Sequence, residues 1–147
     1  MVAITRSVDH FAYDPDHLRD ILERARIIAV VGASTEPWRP SFGVTAYLHR
    51  VGYRVIPVNP TLLGQNLHGE AFHASLRDIG LPVDLVNVFR RPEFIPDIVE
   101  EAIAIRAAAL WLQLGIRHEA AAARAEAAGL QVVMNRCISV EHRRLRG

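Results

Sequence analysis

Ile27-Ile28-Ala29-Val30-Val31-Gly32-Ala33-Ser34-Thr35-Glu36-Pro37-Trp38-Arg39-Pro40-Ser41-Phe42-Gly43 is the stretch that decides the fold. Five apolar residues in a row, ended by a glycine, read as a strand buried on both faces of a parallel sheet. A loop rich in Ser, Pro and Gly follows. Ser41 to Arg50 then has helical spacing, with Val44, Tyr47, Leu48 and Val51 on one side and Gly52 placed to end it. Strand, glycine-containing turn and helix start together form a phosphate-binding arrangement. Gly32 turns without a side chain, Ser34, Thr35 and Ser41 offer hydroxyls, and the helix start presents free N–H groups.

The same alternation extends in both directions. Upstream, Asp14 can cap a helix running to Arg26, with Leu18, Ile21, Leu22 and Ala25 on one face. Residues 1–13 form a lead-in arm with no clear period. Downstream, strands are expected at Tyr53–Val58, Leu85–Phe89, Ala109–Leu114 and Leu130–Met134, with a short one near Ala71-Phe72. Helices are expected from Pro92 to about Arg106 and from Glu119 to Ala128, with a short helical tail. This is a single α/β domain over 1–147, a three-layer doubly wound Rossmann-like parallel sheet of about five strands. Four strand ends then converge on one side of the sheet: Gly32–Thr35, Val58–Pro60, Phe89–Arg91 and Gln113–Gly115.

Composition narrows the chemistry. The 147 residues are 50% hydrophobic, enough for a real core, and the net charge of +1 gives no pull toward nucleic acid. No apolar run approaches the ~20 residues that span a membrane. All 17 basic residues are arginine, which excludes Schiff-base chemistry and the P-loop lysine. One cysteine makes no internal disulfide, so a reducing, cytoplasmic setting is expected. The seven histidines, His10, His17, His49, His68, His73, His118 and His142, form no tight cluster in sequence, and no metal site is expected. No Gly-x-Ser-x-Gly elbow occurs, and no catalytic residues are assigned.

The loop departs from the dinucleotide fingerprint G-x-G-x-x-G. Ser34 and Pro37 stand at its second and third glycine positions, and the next strand ends in Pro57-Val58-Asn59-Pro60 without the acidic residue that grips a ribose. With these residues assembled, the chain resembles the CoA-binding domain family of small bacterial proteins, related to the CoA-binding domain of the succinyl-CoA synthetase alpha subunit. The matching motifs are Val30-Val31-Gly32-Ala33-Ser34, Arg39-Pro40-Ser41-x-Gly43, Gly52-Tyr53-x-Val55-Ile56-Pro57-Val58-Asn59-Pro60 and Val83-Asp84-x-Val86-x-Val88-Phe89-Arg90. Ala109-Leu110-Trp111-Leu112-Gln113-Leu114-Gly115 and Ala128-Gly129-Leu130-x-Val132-Val133-Met134-x-x-Cys137 complete the series over about residues 24–142.

The resemblance implies a CoA or acyl-CoA binder without catalysis of its own. It implies Gly32, Ala33, Ser34 and Thr35 at the diphosphate, Val58, Asn59 and Pro60 by the adenosine, and Val88, Phe89 and Arg90 along the pantetheine. From the residues themselves, Arg39, Ser41, Gly43, Arg90 and Arg91 suit phosphate, while Gln113 and Gly115 end a strand on the ligand side. Trp111 reads as core. Cys137 reads either as a small, partly buried hydrophobe or as a thiol beside the ligand, open to a mixed disulfide with CoA.

Two departures stand out. Thr61 and Leu62 occupy the place where the synthetase relatives carry a CoA-binding lysine. Their phosphohistidine domain and ATP-grasp partner have no counterpart here, so acyl-CoA ligation by this chain alone is not expected. Two alternatives stay open. One is an NAD(P)-binding oxidoreductase or redox sensor, with Arg39 or Arg54 at a 2′-phosphate. The other is a CoA-binding subunit of a multi-chain ligase. A homodimer is the default expectation for assembly.

Overall fold

The decisive apolar run forms strand β1 (Ile27–Val31), and its last four residues are buried. It is flanked on one side by β2 (Arg54–Val58) and on the other by β5 (Leu85–Val88), followed by β6 (Ala109–Leu112) and β7 (Gln131–Val133). All neighbours are parallel, in the order β2-β1-β5-β6-β7. The computed structural model describes residues 8–146. The lead-in arm is therefore described only from Val8 onward, and the rest of that expectation lies outside the described residues.

Both faces of the sheet are covered. Helices α1 (Pro15–Arg24), α2 (Pro40–Arg50) and α5 (Ile138–Arg146) pack on one face around Ile28, Val30, Leu85 and Trp111. Helices α3 (Ile95–Ala104) and α4 (Glu119–Ala127) pack on the other around Ala29, Val86, Val88 and Leu110. This alternation along single strands is what a doubly covered parallel sheet requires. It confirms the three-layer α/β reading, with Trp111 in the core and its Nε1 donating to the Arg136 carbonyl at 2.9 Å.

Register aligns the strand ends. Val31 pairs with both Val58 and Val88, and Val88 pairs with Leu112. Gly32, Asn59, Phe89 and Gln113 thus leave the sheet at one level. The chain exits β1 through α2 on one face and later re-enters at β5 on β1's other side, with α3 on the opposite face. Connections diverging in this way leave a crevice above β1 and β5, the switch point of a doubly wound sheet.

Local chemistry adjusts several expected boundaries. The expected strand near Ala71-Phe72 is half of a hairpin, β3 (Asn66–Leu67) with β4 (Glu70–Ala71). Its two-residue turn is His68-Gly69, with φ of 50° and 82°, the left-handed pair that tight hairpins require. The helix expected from Pro92 begins as a 3-10 turn, Pro92–Phe94, before α3. Pro57 sits in β2 because its missing N–H faces the outer edge, where His73 N–H donates to the Pro57 carbonyl at 3.0 Å.

The opposite edge is closed by side chains of the N-terminal segment. Met134 N–H donates to the Tyr13 hydroxyl at 2.6 Å, His17 Nε2 meets the Val132 carbonyl at 3.1 Å, and Gln131 Nε2 donates to Asp20 at 3.0 Å. Backbone groups that would otherwise line an open sheet edge are thereby satisfied. His17, read from spacing alone, is an ordinary surface histidine; here it is half-buried and closes the edge.

Candidate functional site

Gly32 shows most directly why the crevice has its shape. Its φ is 86°, and a methyl group there would stand 2.6 Å from the Phe89 carbonyl oxygen and 3.3 Å from Arg90 Cδ. The two backbones at the switch point pass too closely for any side chain. The Gly32 N–H donates to the Val58 carbonyl at 2.9 Å and Phe89 N–H donates to the Val31 carbonyl at 2.8 Å. The turn is therefore tied to both neighbouring strands.

A cleft of about 550 Å³ opens above this point. Gly32, Arg39 and Ser41 line its β1 side, Phe89 and Arg90 its middle, and Gln113 and Gly115 its β6 side. With Arg91, which lines it too, eight of the residues expected from sequence at a ligand are thus brought together. Helix α2 starts at its rim with Arg39 as N-cap and Pro40 at the first turn. No side chain caps the helix, and its first turn has no acidic residue. Pro40 has no N–H and the Phe42 N–H donates to the Arg39 carbonyl at 3.0 Å, so the helix offers an anion chiefly the positive end of its dipole.

The three basic residues of the cleft differ in their pairing. Arg39 is tied to Glu36 at 3.0 Å and Arg91 to Glu93 at 3.3 Å. Arg90 has no ion pair among the described residues; its guanidinium lies 4.2 Å from the centre of the Phe94 ring. It is the half-buried cation at the switch point. Arg90 also borders a second hollow of about 180 Å³ on the α3 side, lined in part by Val58 and Pro60 and by the carboxylates Asp97 and Glu101, neither of which is ion-paired with Arg90 among the described residues. Arg90 thus stands between the main cleft and the strand end expected near an adenosine.

Other expected residues stand behind the walls. Ser34 is 8% exposed, and its hydroxyl accepts from Glu36 N–H at 3.0 Å. The Asn59 amide donates to the Ala33 carbonyl at 3.0 Å and accepts from Thr61 N–H at 3.0 Å. Both shape the loops. Ala33 and Val88 are wholly buried, Thr35 is half-buried, and Gly43 lies on the exposed side of α2; none of them borders either hollow. Val44, Leu114 and Ile116 line the cleft although the sequence pattern assigns none of them a ligand contact. Leu114, 67% exposed immediately before Gly115, carried the one available signal: a large apolar residue where a strand has already ended.

At the far end of the cleft, α5 begins. Gln113 is 5% exposed, and its Oε1 accepts from Ile138 N–H at 3.0 Å, capping that helix. Cys137, half-buried and a lining residue, lies just before the helix with Sγ 3.2 Å from Ser139 Oγ. Burial pushes its thiol up. The Ser139 and Gln113 side chains and the Val140 and Ser139 N–H groups outweigh burial and hold it below the ordinary thiol value. Among the described residues, no three His, Cys, Asp or Glu side chains stand together as metal ligands, and no helix is long and apolar enough to cross a membrane.

Comparison with known proteins adds independent findings. Residues 26–143 match the family model described as CoA binding domain. The chain is 40% identical over 125 residues to the uncharacterized protein YneT of Bacillus subtilis (strain 168), covering 85% of this chain and 91% of that one. It is 45% identical to a solved Thermus thermophilus protein described as cell-free ID.343. That match covers 90% of this chain and 98% of that one, with a TM-score of 0.86. The dinucleotide-forming acetyl-coenzyme A synthetase 1 of Ca. Korarchaeum cryptofilum shares the fold alone. There the TM-score is 0.61 at 20% identity, over 72% of this chain and 25% of that one.

Proposed function

The chain belongs to the CoA binding domain family, and from that premise we propose that it holds coenzyme A or an acyl-CoA in the main cleft without catalysing a reaction on it. The observation that carries this reading is the Arg90 guanidinium, which has no ion pair among the described residues, standing beside Gly32 and lining the same cleft as the start of α2. A diphosphate supplies an anion for it, and a bidentate arginine contact suits its geometry.

The rest of the cleft fits the remainder of the molecule. Arg39 and the α2 start stand at the β1 side and Arg90 in the middle, while Gln113, Leu114, Gly115 and Ile116 make the β6 side uncharged. CoA has the same asymmetry, with phosphates at one end and a neutral pantetheine at the other. Among the described residues no His, Asp or Glu lines the cleft, so acid–base work at neutral pH would fall to Cys137 alone. That supports holding over turnover. We place this work in a reducing, cytoplasmic compartment, in keeping with a lone free cysteine.

Calorimetric titration of the purified protein with CoA, dephospho-CoA, ADP and NADPH tests the reading. CoA binds with saturable heat, ADP competes with it, and NADPH does not. In the Arg90→Gln variant CoA affinity falls by about 1.5–3 kcal/mol, tenfold or more, as expected for losing a charge-assisted contact. Tight NADPH binding without CoA binding overturns the proposal.

A further inference from the structure

We infer that Glu36 and Glu93 are built-in counter-anions of the cleft, which hold its affinity for a phosphate-bearing ligand below what its three arginines can supply. This rests on the CoA reading above and adds to it two residues that set affinity without lining the cleft. Arg39, Arg90 and Arg91 all border the cleft, and Glu36 and Glu93 do not. Yet Arg39 Nε stands 3.0 Å from the Glu36 carboxylate, and Arg91 Nε stands 3.3 Å from that of Glu93. Of three positive charges at the ligand, two are thus matched by the chain itself.

Both pairs are made within short segments of sequence. Glu36 and Arg39 share one turn, in which Glu36 N–H donates to the Ser34 hydroxyl at 3.0 Å and Arg39 N–H to the Glu36 carbonyl at 3.0 Å. Arg91 and Glu93 flank Pro92, which opens the 3-10 turn before α3, and Phe94 N–H donates to the Arg91 carbonyl at 3.0 Å. Each carboxylate is therefore tethered to the arginine that it neutralises, and its place does not depend on a ligand. In both pairs the closest contact is through Nε. The terminal nitrogens are left to a phosphate, and the carboxylate stays close enough to repel it.

The four side chains are 45% to 78% exposed, so each pair adds little to the stability of the fold. A diphosphate meets them differently. It brings its negative charges to the same arginines, and each carboxylate acts on it as a like charge at close range. Removing either carboxylate therefore frees a cation at the cleft and leaves the fold nearly untouched. Asp97 and Glu101 border the adjoining hollow, have no arginine partner among the described residues, and stay in place. Affinity held down in this way keeps a bound cofactor releasable, as suits a protein that holds its ligand and does not consume it.

Calorimetric titrations with ADP and with CoA compare the wild-type chain, Glu36→Gln, Glu93→Gln, the double variant and Glu100→Gln. Glu100 pairs with Arg124 at 3.1 Å between α3 and α4, so its variant makes the same change in net charge away from the cleft. Both ligands are expected to bind about two- to fivefold more tightly in each single variant and about tenfold more tightly in the double variant, with no gain in Glu100→Gln. The gain shrinks as ionic strength rises, because exposed charges are screened. Arg39→Gln loses about twofold or more additional affinity when made in Glu36→Gln, a coupling that a merely structural role for Glu36 does not produce. Unchanged or weaker binding in the double variant, or an equal gain in Glu100→Gln, overturns the inference and leaves the CoA reading standing. Absence of CoA binding in the wild-type chain and in every variant overturns both.

Discussion

At the scale of single residues, the switch point rests on one atom that is missing. Gly32→Ala adds a methyl group 2.6 Å from a backbone carbonyl and forces a positive φ on alanine. Stability is expected to fall by about 2–4 kcal/mol in urea unfolding. Gly43→Ala is the matched contrast. Nothing lies within 4 Å of an added methyl there, and the position is inside α2. That variant is expected to gain about 0.5–1 kcal/mol from helix propensity alone. The need for a glycine at 32 is legible in the sequence as the end of a buried run. Its cause is not, because Phe89 is 57 residues away. Arg90 has the same character. Sequence marks it as a cation near a strand end, but only the fold shows that Arg39 and Arg91 are ion-paired while Arg90 has no ion pair among the described residues.

Among the elements, the helices and central strands were legible because they carry strong patterns, and their ends were not. β6 was read to Leu114 but stops at Leu112, because Gln113 turns to cap α5 and Leu114 is released to solvent. No local pattern announces a cap supplied from 25 residues away. The docking of α5 has its own pH signature. His142 accepts or donates at 2.8 Å with the Tyr47 hydroxyl and packs edge-on against Tyr47 and Tyr53. Burial, then the nearby Arg146, lowers its pKa from the ordinary histidine value. The unfolded chain therefore takes up the proton first. The contribution of His142 is fully present above about pH 6.5 and is lost as pH falls through its depressed folded value. Urea midpoints measured from pH 7.5 down to 5.5 are expected to decline, and less steeply in His142→Gln. His68, also depressed by burial and then by His49, adds to the slope in the same direction and remains in that variant.

For the molecule as a whole, the parallel α/β architecture and the convergence of strand ends were legible because register follows from alternation and length. The closure of the sheet was not, since it depends on Tyr13 and His17 reaching backbone groups more than a hundred residues away. A Tyr13→Phe, His17→Ala double variant leaves Met134 N–H and the Val132 carbonyl without these partners. It is expected to lose about 1–3 kcal/mol and, in sedimentation runs at rising concentration, to self-associate through the opened β7 edge. An unchanged sedimentation profile would show that the edge is guarded by something else. The walls of the cleft have a further consequence. Residue 137 is synthesised more than a hundred residues after residue 32. A shortened product that stops before α5 has the arginines and the glycine turn but lacks the thiol and the helix that positions Gln113. The walls of the cleft are thus completed only once α5 has been made and has docked.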